Sequence, residues 1–164
     1  VDATTARDVA VRPDIMSLGK AVGGGLPVGI LWARPEVAAL LVPGKHGCTL
    51  GANPICMAVA DKVFEVMERE DLVNKAAVLG EYAMARLKSD KELAKKILGV
   101  RGRGLFIGIE FKAAPEGIVE KALEKGVIVN VTQKTTVRLA PAVTISKQEL
   151  DAGLDAFLAA AKEI

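Results

Sequence analysis

The chain has 164 residues, 51% hydrophobic and 26% charged, the make-up of one ordinary soluble domain or slightly more. Its 22 basic and 20 acidic residues leave a net charge of +2, too small an excess to imply a nucleic-acid or acidic-membrane partner. No unbroken apolar run is longer than that from Val37 to Val42, which falls far short of the roughly 20 residues that cross a bilayer. Cys48 and Cys56, with no secretory leader ahead of them, fit reduced thiols and a cytoplasmic setting. The chain starts at Val1 and runs into Asp2-Ala3-Thr4-Thr5-Ala6-Arg7-Asp8, which is neither a signal nor a transit peptide, so an upstream portion is expected.

Arg12-Pro13-Asp14 is turn chemistry, and Ile15-Met16-Ser17-Leu18 is a short strand ending at Gly19-Lys20. Gly23-Gly24-Gly25 breaks regularity, after which Pro27 to Ala33 has the length and near-continuous apolarity of a strand buried on both faces of a sheet. Asn53-Pro54 opens a helix, because an Asn side chain accepts from free backbone amides and Pro fits the first helical position. Ile55, Val59, Val63, Val66 and Met67 carry that helix to about Glu70, and a second runs from about Asp71 to Lys88 with Leu72, Ala76, Leu79, Ala83 and Leu87 on one face. Val100 to Phe111 reads as one strand, since Leu105, Ile107, Ile109 and Phe111 alternate with their neighbours. Pro115 to Lys125 is a helix stopped by Gly126, and Val127–Val131 with Thr136–Ala140 forms a hairpin around Gln133-Lys134. The last helix begins at the capping box Ser146-Lys147-Gln148-Glu149 and turns Leu150, Leu154, Phe157, Leu158 and Ala161 inward.

Few residues offer chemistry. One histidine, His46, and two cysteines without Cys-x-x-Cys spacing argue against a metal or redox centre, and no Gly-x-Ser-x-Gly elbow supports a hydrolase. Gly19-Lys20 is not a phosphate loop: Ala21 follows where Ser or Thr is required, and Asp14 stands where the first Gly belongs. Arg101-Gly102-Arg103-Gly104 lacks the aromatic interleaving of a nucleic-acid site and reads as a tight turn entering a strand. Lys20 remains. A lysine after a short strand is ordinarily a solvated charge. At the end of a buried strand, beside glycines that let another molecule approach, it suits an amine nucleophile toward an aldehyde.

Four ordered blocks carry a specific resemblance. Pro13-Asp14-Ile15-Met16-Ser17-Leu18-Gly19-Lys20-Ala21-Val22-Gly23-Gly24-Gly25 resembles the cofactor-lysine signature of class III aminotransferases, and His46-Gly47-Cys48-Thr49-Leu50-Gly51-Ala52-Asn53-Pro54 resembles the segment that crosses their dimer interface. Arg101 to Glu110 resembles the first strand of the family's small domain, and Val129 to Thr132 with Thr136 to Pro141 resembles the acetylornithine aminotransferase form of the carboxylate-binding region. The resemblance implies an α/β fold class: the C-terminal portion of a fold-type I pyridoxal-phosphate-dependent transferase, comprising the edge of the large-domain sheet plus a small α+β domain. Residues 1–52 would be the large-domain remnant, 53–70 a connecting helix and 71–164 the small domain.

It also implies roles. Lys20 would hold pyridoxal 5'-phosphate as a Schiff base and shuttle a proton. Thr49 would bind the phosphate of the neighbouring subunit's cofactor in a homodimer, unless it is only a turn residue. Arg138 would grip the carboxylate of the amino acid or of 2-oxoglutarate, unless it pairs with a nearby acid. Cys48 would touch the substrate where many relatives carry Ser or Thr. The reaction implied is transfer of the terminal amine of N-acetylornithine to 2-oxoglutarate in arginine biosynthesis. Ornithine, succinylornithine and 4-aminobutyrate are competing donors, and a non-catalytic association module is the reading from another class. Relatives carry the phosphate turn, a stacking aromatic and the acid that pairs with the pyridine nitrogen further upstream, so the 164 residues alone are expected to be inactive.

Overall fold

The computed structural model describes residues 3–4 and 10–164; most of the opening segment Asp2 to Asp8, and with it the start of the expected 1–52 piece, lies outside the described residues. The chain divides into two compact units, residues 1–69 and 70–164.

In the first unit β1 (Ala3–Thr4) pairs with β2 (Ala10–Val11), and β3 (Ile15–Leu18) pairs antiparallel with β4 (Ile30–Ala33) from Ile15 opposite Ala33 to Leu18 opposite Ile30. Arg34 closes the open end of the β3–β4 pair: its amide donates to the Asp14 carbonyl and its guanidinium meets the Asp14 carboxylate at 3.2 Å. A single 3-10 turn at Lys20–Gly23 stands in the excursion between the two strands, and the short helix α1 (Pro35–Ala38) follows β4. The expectation of a strand buried on both faces over Pro27 to Ala33 is corrected here. The strand is shorter, and Leu31 and Trp32 remain 59% and 45% exposed. The physical reason is that β4 pairs only with β3 among the described residues, so no further strand or helix layer covers it. α2 (Pro54–Arg69) starts as expected, with Asn53 Oδ1 accepting from the amides of Ile55 and Cys56 at 3.1 and 3.3 Å.

The second unit is a four-stranded antiparallel sheet with helices on one face. α3 (Leu72–Ser89), α4 (Lys91–Lys96), α5 (Ile118–Glu124) and α6 (Lys147–Lys162) accompany β5 (Ile97–Arg103), β6 (Phe106–Phe111), β7 (Asn130–Thr132) and β8 (Thr136–Leu139), in sheet order β5-β6-β8-β7. Ile107, Ile109 and Val137 point inward from the sheet to meet Leu87, Leu93, Ile118 and Phe157 from the helices, all essentially without solvent contact. Truncating Phe157 to Ala would cost about 3–5 kcal/mol. The expected period-2 alternation is present from Leu105 to Phe111, but the segment Val100 to Phe111 is a hairpin and not one strand: Arg103 pairs with Phe106 around Gly104 at φ +52°. The backbone there also packs against α3, since a Cβ on Gly80 would sit 2.0 Å from the Gly104 carbonyl oxygen, and so Gly80 is needed in mid-helix. α4, unforeseen in the sequence, is capped by Asp90, whose carboxylate accepts from the amides of Glu92 and Leu93. The expected hairpin around Gln133-Lys134 forms, with both residues left-handed at φ +50° and +68°. The capping box at Ser146 and Glu149 is complete in both directions.

α3 and α6 are joined by a polar cluster. Asp151 accepts from Tyr82 and from Arg86 at 2.7 Å, Lys147 reaches it at 2.7 Å, and the Lys147 ammonium also lies 4.3 Å from the Tyr82 ring centroid. The Lys147 hydrogen bond first, and the Tyr82 hydroxyl next, hold the Asp151 carboxyl below the usual carboxylate range.

Two outcomes follow. Because the folded pKa is depressed, the stabilisation from Asp151 is present above its unfolded value of about 3.9 and is lost as pH falls through the lower folded value. Asp151→Asn should therefore melt below wild type at pH 7, the gap closing in melts run at pH 3 and lower. Lys134→Gly relieves a left-handed non-glycine residue at an exposed tip and should raise stability by about 1 kcal/mol in urea unfolding.

Candidate active site

Lys20 lies two residues beyond the end of β3, at the start of the 3-10 turn. Its backbone is left-handed at φ +59°, a conformation that costs a non-glycine residue roughly 1–2 kcal/mol, and it follows Gly19 in a fully extended state at φ −157°. The turn is closed by hydrogen bonds from Val22 N–H to the Gly19 carbonyl, Gly24 N–H to Ala21 at 3.0 Å and Leu26 N–H to Gly23 at 2.9 Å. Its back, Val22 and Gly23, is buried, while Lys20 is exposed and its amine has no hydrogen-bond or ion-pair partner among the described residues. The burial that the sequence suggests around this amine is not supplied by those residues. β3 and β4 are too short and too open to enclose it.

Cys48 and Thr49 share one turn, in which the Gly51 amide donates to the Cys48 carbonyl at 3.1 Å. A Cβ at Gly51 would come within 3.2 Å of both the Cys48 Cβ and its carbonyl oxygen, so the tightness of the corner depends on glycine. Thr49 is exposed at that corner, and Cys48 is an exposed free thiol. His46 is exposed as well. This turn leads directly into the Asn53 cap of α2.

Arg138 stands on β8, on the sheet face opposite the core. Its Nε donates to Asn130 Oδ1 at 3.0 Å, and its guanidinium carbon lies 5.6 Å from the Phe106 ring centroid. The Asn130 contact leaves the two terminal amino groups, the prongs that take a carboxylate side-on, without a partner among the described residues. The register sets Arg101 opposite Gly108 and Gly108 opposite Arg138, so two arginines flank a glycine floor, and an open cleft of about 320 Å³ covers that row with Thr132, Gln133 and Thr136 around it. Asn130, Phe106 and Gly108 went unassigned in the sequence. Their period-2 positions relative to Arg138 were readable there, but the β6–β8 register that joins them was not.

Lys20, Cys48 and Thr49 thus belong to the first unit and Arg138 to the second. A primary amine on an open glycine-rich turn and an exposed hydroxyl on a tight corner are the donor types that an aldehyde and a phosphate require. Gly19 and Gly25 leave open space where a Cβ would stand. The residues present therefore fit a phosphorylated aldehyde cofactor. Among the described residues, no group of three or more His, Cys, Asp or Glu is gathered as a metal site needs, and no helix is long and apolar enough to cross a membrane.

Comparison with known proteins gives the family. Ornithine aminotransferase 2 of Staphylococcus saprophyticus is 44% identical over 147 residues, 88% of this chain and 36% of that protein. Acetylornithine aminotransferase of Methanothermobacter thermautotrophicus is 40% identical over 145 residues, 88% of this chain and 37% of that protein. The structure of the ornithine aminotransferase from Toxoplasma gondii, described with partial occupancy of PLP at its active site, superposes with a TM-score of 0.89 at 30% identity, covering 97% of this chain and 39% of that one. The chain accordingly spans little more than a third of the length of these relatives. The family model for class-III aminotransferases matches residues 3–161, a span that takes in the Lys20 turn, the Thr49 corner and the Arg138 strand, and the chain belongs to that family.

Proposed function

We propose that this chain is the cofactor-lysine and small-domain portion of a pyridoxal-phosphate-dependent aminotransferase that moves the terminal amine of an ornithine-type donor to 2-oxoglutarate. The observation that carries the reading is the exposed amine of Lys20, without a partner among the described residues, on a glycine-rich turn within a class-III aminotransferase sequence. Pyridoxal phosphate, when bound, supplies an aldehyde that condenses with amines and a conjugated ring that accepts the electron pair left when a proton departs.

The chain's own residues supply the rest. Lys20 Nζ would hold the cofactor in the resting enzyme and, once the donor amine has displaced it, would move a proton from the substrate carbon bearing the amine to the carbon of the former aldehyde, acting as base and then as acid. The Thr49 hydroxyl donates to the cofactor phosphate of the partner subunit in a homodimer. Arg138, its Nε already engaged by Asn130, would turn its terminal amino groups to the substrate carboxylate. Cys48, beside Thr49, faces the donor.

N-acetylornithine is the donor we favour, in a cytoplasmic step of arginine biosynthesis. Ornithine is the second reading, favoured by the 44% identity to an ornithine aminotransferase. Succinylornithine and 4-aminobutyrate rank behind both. The two leading donors differ only in whether the second amine is free, so kcat/KM measured with each decides between them.

Borohydride reduction of the whole cofactor-loaded enzyme followed by peptide mapping should place the pyridoxyl label on Lys20; label on another lysine overturns the assignment. Arg138→Lys keeps the charge and loses the fork, so kcat/KM should fall at least about tenfold for donor and acceptor, equivalent to roughly 1.4 kcal/mol. Unchanged kinetics for both substrates would make Arg138 structural.

A further inference from the structure

Backbone strain of the kind seen at Lys20 persists only where the surroundings over-determine it, so something must hold this turn. On one side the chain does so itself: a Cβ at Gly23 would stand 2.6 Å from Val28 Cγ1. On the other side the support is α2. A Cβ at Gly24 would stand 2.9 Å from Val59 Cγ1 and 3.5 Å from Val63 Cγ2, and the Cys56 thiol lies 3.7 Å from the Pro27 carbonyl oxygen. Cys56, Val59 and Val63 are spaced i, i+3 and i+7 and share one face of the helix, with the buried Ala60 beside them. Gly24 is itself left-handed at φ +57° and, as the residue after the 3-10 turn, passes its position to Ala21 through the 3.0 Å hydrogen bond.

We propose that Val59, with Val63 beside it, is a positioning residue for Lys20: α2 presses on Gly24 and thereby locks the turn in the conformation that aims the lysine amine. The inference rests on the reading of Lys20 as the cofactor lysine. Val59 touches neither cofactor nor substrate in this account and acts only through the turn. The close approach also explains why a glycine is needed at position 24 on steric grounds in addition to its positive φ.

The test compares Val59→Ala with Val66→Ala, an equal truncation on the same helix at a residue outside 4 Å of the Gly24 position. In the whole substrate-free enzyme loaded with pyridoxal phosphate, the pH midpoint of the visible cofactor band is read. Hydrogen exchange of the Gly24 and Leu26 amides is read alongside it. Val59→Ala should move the midpoint by about half a pH unit or more and speed both amides by about tenfold, with Val66→Ala doing neither. Gly24→Ala should disturb both readouts further. Combined with Val59→Ala it should do less harm than alone, because the added methyl then fills the space the valine vacates. A Val59→Ala protein that matches wild type in both readouts overturns the proposal, as does a Val66→Ala protein that shifts equally. If wild type shows no cofactor band, the reading of Lys20 as the cofactor lysine fails, while the exchange rates still decide whether Val59 holds the turn.

Discussion

The contact between α2 and the glycine-rich turn is the constraint on which the first unit depends. The β3–β4 pair has few partners among the described residues, and Ile15, Leu31 and Trp32 are exposed, so burial along those strands contributes little to order around Lys20. Order there comes instead from steric closeness, with Val28 on one side of Gly23-Gly24 and Val59 on the other. Both approaches are tolerated only because no Cβ is present. The helix that provides the second wall is started by Asn53 directly after the Thr49 corner, so one short stretch of chain both presents the hydroxyl and supports the lysine. Sequence adjacency, a cap and a helical repeat together tie the two proposed site residues to one element.

The second unit solves a different problem. A β-sheet with helices on one face must put every second residue into the core, and Ile107, Ile109 and Val137 do so. The residues between them are then free for another use, and they include Phe106, Gly108 and Arg138. The same alternation that builds the core therefore sets the guanidinium on the open face, braced by Asn130 and backed by an aromatic ring. Moving β8 by one residue would bury Arg138 and expose Val137, so the carboxylate-binding reading and the stability of the sheet rest on one register.

Local signals were legible in the sequence and non-local ones were not. Asn53-Pro54 and Ser146 to Glu149 announce helix starts because capping is chemistry among residues at most three apart, and both caps form. The hairpin at Gln133-Lys134 was readable from flanking β-branched residues. The β5–β6 hairpin was missed because the alternating residues that suggest a strand, Leu105 to Phe111, all lie in or beside β6, and only the pairing of Arg103 with Phe106 shows that Val100 to Arg103 belongs to a separate strand. The exposure of β4 was missed because an apolar run reports what a strand is suited to bury against and is silent on which neighbours supply the cover. Lys20 was reached by elimination and by its setting among glycines, and its role, like those of Thr49 and Arg138, came from resemblance to a family. Their supporting residues, Val59, Gly108 and Asn130, became visible only once helix faces and strand register were fixed in space.

The most direct measurement of the central claim is a crystal structure of the whole enzyme grown with pyridoxal 5'-phosphate and no substrate. The account predicts continuous electron density from Lys20 Nζ into the cofactor, with Lys20 still left-handed and Gly24 against Val59. Density that ends at the Lys20 amine, or that joins the cofactor to a different lysine, would contradict it.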